Sequence, residues 1–353
     1  MPNTDILIVG GGPAGMEAAR SLAELGEKVV LVEKRDRLGG TPDSAHYAAL
    51  TPDLRSADEA IGEMVDAVKN NPNVDIRLNS TVVASQGSIG DFTVTVKNAR
   101  KSEKLKVGSV IITTGFQHFD PGRETQKYGY YEFEDVITLT DCEQMLHEKR
   151  FVRPSNGKVP EKVCFIQCVG SRDRRIGNEY CSKVCCGIAS KEAIEIRQMV
   201  PDCKVYIFYI DMRMYGYWEN EIYWPAQEKY KVNYIKGIAT EVLKKGDKLV
   251  VRGEDTTMRR PYEIPMDIVI LSVGMEPSAG TREMAKIFGL KQNKYNFIDS
   301  VGGPLDTVST SVPGIFAAGA CTGPADLEDS VSAAGLAAMK AVTSLKRLAR
   351  KPA

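Results

Sequence analysis

Four of the eight cysteines crowd into residues 168–186, at Cys168, Cys181, Cys185 and Cys186. Crowded thiols can form a disulfide, bind a metal, act as a redox pair or pack in a core. A disulfide between Cys185 and Cys186 would be strained, because the Cβ atoms of adjacent residues diverge. Zinc sites usually contain C-x2-C pairs, which are absent here. The residue types therefore favour metal binding or redox chemistry and leave both open.

A glycine-rich segment near the start of the chain indicates phosphate chemistry. It reads GGGPAG and consists of Gly10, Gly11, Gly12, Pro13, Ala14 and Gly15. An apolar run precedes it, residues 16–26 have helical spacing, and a second apolar run ends at Glu33. This order predicts a βαβ unit that binds a dinucleotide, with the phosphates at the helix N-terminus and Glu33 on a ribose diol.

Each glycine of this fingerprint has a physical reason. Gly10 permits the tight turn, Gly12 lets backbone amides approach a pyrophosphate, and Gly15 allows the helix to pack closely on the strand.

Three further segments resemble the signatures of FAD-binding reductases. They are KRDRLGGT with Lys34, Gly39, Gly40 and Thr41; VIITTG with Thr113, Thr114 and Gly115; and GIFAAGAC with Gly319 and Ala320. The resemblance predicts FAD as the cofactor. Ala320 departs from it, since most such flavoproteins carry an aspartate there.

The elements that must position these residues follow from hydrophobic periodicity. Around the first βαβ unit we predict a helix at 57–69 and strands at 74–78, 81–84 and 92–96, and we interpret the charged stretch 97–106 as a solvated hairpin. Val82, in the second of these strands, is the predicted adenine contact.

A second βαβ unit is predicted from residue 160 onward. It has a strand at 162–167, a helix at 181–199 and a strand at 204–210, with further strands to residue 274. On that helix Cys181 and Cys185 would share a face, and Cys168 would follow the preceding strand in a loop.

This order matches the pyridine-nucleotide domain that two-domain disulfide reductases insert in their FAD domain. The fold class is therefore α/β, with two dinucleotide-binding domains. The predicted division is 1–125 and 285–353 for the FAD domain and 126–284 for the insert. Where the insert needs a glycine fingerprint the chain reads QCVGSRDRR, so we expect the nicotinamide site to be lost.

The segments IQCVGSRD, GNEYCSKVCCGIASKEA and YIFYIDMRMYG, between GGGPAG and GIFAAGAC, resemble HdrA of the heterodisulfide reductases. The chain contains no ferredoxin-like CxxC motif, and therefore resembles the compact form in sulfur-oxidising Hdr-like complexes. Similar short subunits occur in quinone-interacting oxidoreductases of sulfate reducers.

The resemblance implies roles for particular residues. Cys168, Cys181, Cys185 and Cys186 would ligate a 4Fe-4S cluster in the family's C-x12-C-x3-C-C pattern. Lys191 would lie near the flavin and tune it; a solvated helix lysine is the alternative. The amides of Ser330 and Val331 would face the flavin carbonyl.

The resemblance also implies an electron-transfer subunit of a sulfur-metabolising complex. Its expected partners are HdrB-like and HdrC-like subunits and a second copy of the chain, as a homodimer. The alternative is a self-sufficient NAD(P)H-dependent disulfide oxidoreductase, which would need a close redox-cysteine pair and a second glycine fingerprint.

Composition excludes other classes of function. The formal net charge is zero, from 46 basic and 46 acidic residues, so nothing indicates nucleic-acid binding. No apolar run approaches the roughly 20 residues of a membrane helix, and the first residues lack the features of a signal peptide. We therefore expect a cytoplasmic protein without membrane insertion.

Overall fold

The computed structural model describes residues 3–124 and 127–350. The predicted boundary between residues 125 and 126 lies outside the described residues. The strands in chain order are Ile6–Val9 (β1), Val29–Val32 (β2), Ala49–Leu50 (β3), Arg55–Ser56 (β4), Val74–Arg77 (β5), Thr81–Ser88 (β6), Asp91–Lys97 (β7), Ser102–Val107 (β8), Ser109–Ile112 (β9), Phe116–His118 (β10), Val136–Thr138 (β11), Lys162–Val169 (β12), Lys204–Tyr209 (β13), Asn233–Lys245 (β14), Lys248–Asp255 (β15), Arg260–Met266 (β16), Ile268–Val273 (β17), Met275–Pro277 (β18) and Ile315–Ala317 (β19).

The α-helices are Pro13–Glu24 (α1), Gly40–Ser44 (α2), Ala57–Lys69 (α3), Pro121–Glu124 (α4), Leu139–His147 (α5), Cys185–Met199 (α6), Trp224–Glu228 (α7), Ala279–Phe288 (α8) and Leu327–Arg350 (α9). Within the described ranges, none of the helices combines the length and apolar character that crossing a membrane would require.

The chain forms two compact units. The first comprises Met1–Ser44, Glu59–Gln117 and Glu276–Ala353, and the second comprises Ala45–Asp58 and His118–Met275. The second unit is thus inserted in the first, and it also contains residues 45–58, which the sequence-based division kept in the FAD domain.

The first unit is built on a parallel five-stranded sheet in the order β19-β9-β1-β2-β5. Successive side chains of β1 alternate between two cores, as the pleat of a strand requires. Ile6 and Ile8 pack with α1 and α9 on one face. Leu7 and Val9 pack on the other face with α8 and the antiparallel sheet β6-β7-β8.

The charged stretch 97–106 differs from its prediction in one respect. Its second half is not a solvated turn but strand β8, which pairs with β7 in the antiparallel sheet. Exposed and partly buried residues alternate along β8, so charged side chains occupy its solvent face.

The second unit contains a seven-stranded sheet in the order β11-β17-β12-β13-β14-β15-β16. The strands from β11 to β14 are parallel, and β15 and β16 extend the sheet as an antiparallel meander. Strands β12 and β17 are buried almost throughout, which is typical of central strands covered on both faces. Helix α6 connects β12 to β13, so this unit repeats the βαβ order of the first.

Candidate functional site

The connection between β1 and α1 consists of three glycines. Gly10 has φ of +115°, and a Cβ atom on it would lie 2.4 Å from the carbonyl oxygen of Thr113. A Cβ on Gly15 would lie 1.8 Å from the carbonyl oxygen of Gly10. Helix α1 begins without a side-chain cap, so its first N–H groups have no side-chain acceptor. Such a helix start favours anions, and a pyrophosphate is the anion that this turn fits.

Glu33, the predicted ribose ligand, is 6% exposed and also fixes the turn. Its Oε2 accepts a hydrogen bond from the Gly11 N–H at 2.6 Å, and its Oε1 accepts one from the Arg35 N–H at 2.8 Å. Each oxygen keeps a further lone pair for a ligand hydroxyl. The acid at the end of β2 therefore links the strand to the glycine turn.

The segment after Glu33 returns to the same turn. Gly40 has φ of +63°, and a Cβ on it would lie 2.6 Å from the Cα of Gly12. Arg35 donates from Nη1 to the Gly40 carbonyl at 2.9 Å and forms an ion pair with Asp43. Sequence reasoning found Gly39, Gly40 and Thr41 but missed Arg35 and Asp43, whose pairing holds this segment. Lys34 is exposed in the loop after β2.

The VIITTG segment also lies at the glycine turn. Thr113 donates from Oγ1 to the carbonyl oxygens of Val9 and Gly10, at 3.0 and 2.9 Å. Thr114 shares a 2.8 Å hydrogen bond with the hydroxyl of Thr281, which also donates to the Gly115 carbonyl at 2.8 Å. Thr281, which sequence reasoning missed, therefore fixes the end of this signature.

The C-terminal signature reaches the start of α1. A Cβ on Gly319 would lie 2.9 Å from the Cβ of Ala14 and 3.6 Å from the Oγ of Ser330. Ala320 is buried beside it. The Ser330 N–H donates to the Asp326 carbonyl at 3.1 Å, so this amide already has a helical acceptor. Val331 is partly exposed.

Val82 is placed differently from the other predicted cofactor residues. Its side chain is 1% exposed and packs in the core beneath the sheet with Val32 and Val94. The side chain is thus committed to the core, and an adenine contact stays a prediction for its backbone.

The cysteine-rich turn of the second unit has a different construction. Strand β12 ends at Val169 and helix α6 begins only at Cys185. The helix predicted for 181–199 therefore starts four residues late, and Cys181 does not share a helix face with Cys185. Cys168 is not in a loop: it is within β12, at an irregularity of the pairing with β17, with φ of +62°.

Three thiols meet at this turn. The Cys185 thiol interacts with both Cys168 and Cys186. The hydrogen bond from Cys185 lowers the pKa of Cys168 to about 7, against the effect of burial and assisted by Arg172. The pKa of Cys186 is also lowered, by Cys185 first and then by the backbone N–H of Arg213 against the effect of burial.

Cys181 precedes the helix in an irregular segment. Its Sγ accepts a hydrogen bond from the Lys183 N–H at 3.3 Å. Among the residues that the structure describes, no three Cys, His, Asp or Glu side chains are arranged as a ready-made metal site. The donor set nevertheless fits a thiolate-bound metal group, because three thiols are in mutual contact and the eight cysteines are free.

Comparison with known proteins agrees with this architecture. The family described as pyridine nucleotide-disulphide oxidoreductase matches residues 4–341. The chain belongs to this family. The predicted fold class is thereby confirmed, and membership supports FAD as the cofactor and an oxidoreductase as the class of protein.

Solved structures of two thioredoxin reductases have the fold of this family member. The enzyme of T. acidophilum has a TM-score of 0.65 at 21% identity and covers 99% of this chain and 100% of its own. That of Lactococcus lactis has a TM-score of 0.66 at 20% identity, over 98% of this chain and 100% of its own.

Curated relatives confirm the resemblance to HdrA. The HdrA protein of Methanocaldococcus jannaschii, an iron-sulfur subunit of CoB–CoM heterodisulfide reductase, is 32% identical over 93% of this chain and 62% of the relative. The corresponding subunit of the H(2):CoB-CoM heterodisulfide,ferredoxin reductase of Methanothermobacter thermautotrophicus is 30% identical over 96% of this chain and 64% of the relative. The chain thus spans less than two thirds of the length of these relatives.

In this family member, Lys191 is not a solvated helix lysine. It is 1% exposed, and its Nζ donates to Glu143 at 2.5 Å, to Glu195 at 3.1 Å and to the Ala49 carbonyl at 3.2 Å. Burial would lower the pKa of Lys191, but the carboxylates, Glu143 foremost, raise it above its ordinary value. The lysine is therefore a buried cation with a complete set of acceptors, and its flavin role stays a prediction.

Glu192 follows Lys191 and is also buried. It is 0% exposed, and burial together with the charge of Glu143 raises its pKa well above the ordinary value. The thiol of Cys142, interpreted from the sequence as packing, lies against this carboxyl group. Both features indicate a neutral carboxylic acid inside the second unit.

A small cavity of the second unit adjoins both clusters. Its lining includes Tyr47, His118, Glu143, Val184 and Cys185. Burial lowers the pKa of His118 to about 4, so its imidazole is neutral at physiological pH. The cavity thus places a cysteine of the turn and a carboxylate of the lysine network on one surface.

Proposed function

We propose that this chain is an FAD- and 4Fe-4S-containing electron-transfer subunit of a heterodisulfide reductase-like complex in sulfur metabolism. It passes electrons between FAD, the cluster and partner iron–sulfur subunits. The substrate chemistry takes place on those partners, because the chain has no close redox-cysteine pair of the CxxC or CxxxxC type.

The observation that carries this proposal is the β12–α6 connection. A nicotinamide site in this fold needs a short glycine turn between strand and helix, as β1 and α1 have. Residues 170–184 instead form a long irregular segment with one 3-10 turn. Thiols stand at both of its ends, Cys168 before it and Cys185 and Cys186 after it.

The residues that would hold the two groups follow from their placement. The dinucleotide would be held at the glycine turn by Gly10–Gly15, Glu33, Gly40 and the Thr113–Gly115 segment. The cluster would be held by Cys168, Cys181, Cys185 and Cys186. When bound, FAD supplies two-electron and one-electron transfer, and the cluster supplies one-electron transfer.

The chain's own groups prepare these sites without any bound group. The uncapped start of α1 presents N–H donors to phosphate, and Glu33 orients the first of them through the Gly11 amide. At the cysteine turn, Arg172 and the Arg213 amide favour thiolate over thiol at Cys168 and Cys186.

The names of the relatives support the partner assignment. Two of them are named as iron-sulfur subunits of a CoB–CoM heterodisulfide reductase, and others are named as subunits of larger reductases. We infer HdrB-like and HdrC-like partners for this chain, and a homodimer of the chain itself, in the cytoplasm.

An anaerobic reductive titration tests the function. We expect the isolated chain to take up about three electrons from reduced methyl viologen, two into FAD and one into the cluster. We expect no rapid stoichiometric reduction by NADH or NADPH, since the second phosphate turn is missing. Uptake of about two electrons, together with full reduction by NADH, would contradict the proposal and favour the self-sufficient disulfide oxidoreductase.

A further inference from the structure

Arg172 has a backbone conformation that few side chains adopt. Its φ is +55°, in the left-handed region, and its N–H donates to the Tyr180 carbonyl at 2.9 Å. This hydrogen bond closes residues 172–180 into a loop directly after β12. A strained non-glycine residue needs surroundings that hold it there, and such positions concentrate at functional sites.

The guanidinium of Arg172 is fixed against the cysteine turn. Nη2 donates to Oδ2 of Asp211 at 2.7 Å, and the charge acts on the neighbouring Cys168 thiol. Nη1 is buried and has no hydrogen-bond partner among the residues that the structure describes. One arm of the fork thus remains available for an acceptor that the chain itself does not provide.

Asp211 connects this arginine to a second cysteine. Its carboxylate holds Arg172, and its backbone carbonyl accepts a hydrogen bond from the Cys186 thiol at 3.8 Å. The N–H of Arg213, two residues on, donates to the same sulfur. Cys168, Arg172, Asp211 and Cys186 therefore form one connected set that joins the end of β12 to the end of β13.

We propose that Arg172, held by Asp211, raises the reduction potential of the iron–sulfur group at Cys168 and Cys186 and donates from Nη1 to it. This inference rests on the proposed function. Reduction adds one negative charge to the group, and a fixed cation stabilises that charge more strongly where little water screens it. Arg172 is thus a positioning residue for electron transfer, acting through Cys168.

The test is a redox titration of the loaded protein followed by EPR. For Arg172→Gln we expect the ratio of reduced to oxidised cluster at a fixed potential to fall about tenfold, which is about 59 mV for a one-electron couple. Asp211→Asn, which releases the guanidinium, should shift the potential in the same direction by less. Arg172→Lys should keep the iron and most of the potential, because the charge is retained.

The matched control is Arg174→Gln. Arg174 lies two residues along the same loop and loses the same charge, but its side chain is 91% exposed. We expect its potential to equal that of the unmodified protein. A potential in Arg172→Gln equal to that of Arg174→Gln would overturn the inference, as would loss of iron from Arg172→Lys. Absence of a cluster from the unmodified protein would instead remove the proposed function.

Discussion

The two βαβ units of this chain solve the same topological problem with opposite connections. Between β1 and α1 stand Gly10, Gly11 and Gly12, whereas between β12 and α6 stand residues 170–184. Phosphate binding uses backbone N–H groups, so side chains at the first turn would only obstruct it. Metal binding uses side chains, so the second turn carries cysteines and needs length to aim them.

Backbone strain differs between the turns in the same sense. The left-handed position of the first turn is Gly10, where such a φ is free of steric cost. Around the second turn Cys168, Arg172 and Lys183 adopt left-handed conformations. Positive φ at non-glycine residues costs energy, which indicates that their side chains, not their backbone freedom, are needed there.

The helices that follow differ as well. Helix α1 buries small and apolar residues such as Ala18, Ala19 and Leu22. Helix α6 buries Lys191 and Glu192 beside its apolar residues. Buried charge is stable only when paired or neutralised, so α6 carries a risk that α1 avoids.

The largest expected effect comes from Cys185→Ala. Iron should fall to near zero because Cys185 contacts two other thiols of the set, while FAD stays bound in the first unit. Iron assay and flavin absorbance on anaerobic protein measure both. Cys203→Ala is the control, since Cys203 is equally buried in the second unit and outside the set. Full iron content in Cys185→Ala would break the comparison between the turns.

The reciprocal change is Gly15→Ala. Its Cβ would lie 1.8 Å from the Gly10 carbonyl, so the turn must shift and FAD retained after desalting should fall at least about tenfold. Iron should be unaffected. Gly62→Ala is the control: its Cβ meets nothing within 4 Å in helix α3, and we expect about 0.5–1 kcal/mol of added stability. Equal FAD retention in both variants would show that the turn is not the cofactor site.

The buried charges of α6 are tested by Glu143→Gln. The change removes the carboxylate that lies 2.5 Å from Lys191, and breaking one partner of a buried pair costs about 3–5 kcal/mol. Urea unfolding gives the free energy. Glu148→Gln, on the exposed end of α5, should cost less than about 0.5 kcal/mol. A loss in Glu143→Gln as small as that control would mean that Lys191 does not need its partner.

A smaller effect distinguishes the neutral acid at Glu192. Its pKa in the folded protein is raised, so its contribution to stability is complete below the unfolded pKa and is lost as pH rises through the folded pKa. Glu192→Gln should therefore lose less stability than the unmodified protein when urea unfolding is repeated at alkaline pH. Parallel pH profiles for the two proteins would show that Glu192 is already ionised.

The first turn could be predicted from the sequence because its determinants are local. The strand, the glycines, the helix and Glu33 lie within residues 5–33, and each residue type has one backbone reason to be there. The bond from Gly11 to Glu33 and the support from Thr281 could not be predicted, because they depend on how distant segments meet.

The second turn was predicted less accurately, for physical reasons. Periodicity extended helix α6 back to Cys181, but Lys183 has φ of +66° and breaks the helix there. The positive φ of Cys168 has no sequence signal, since cysteine is not a residue that prefers it. The burial of Lys191 depends on Glu143 and Ala49, whose proximity follows only from the fold.

The central claim is that the second dinucleotide-type turn of this chain holds a four-iron cluster. The most direct measurement is iron, sulfide and flavin per chain in anaerobically prepared protein, with EPR after reduction. We predict about four iron and about four sulfide for each FAD, and an EPR signal from a reduced cluster. Protein that is folded, saturated with FAD and free of iron after reconstitution would contradict the account.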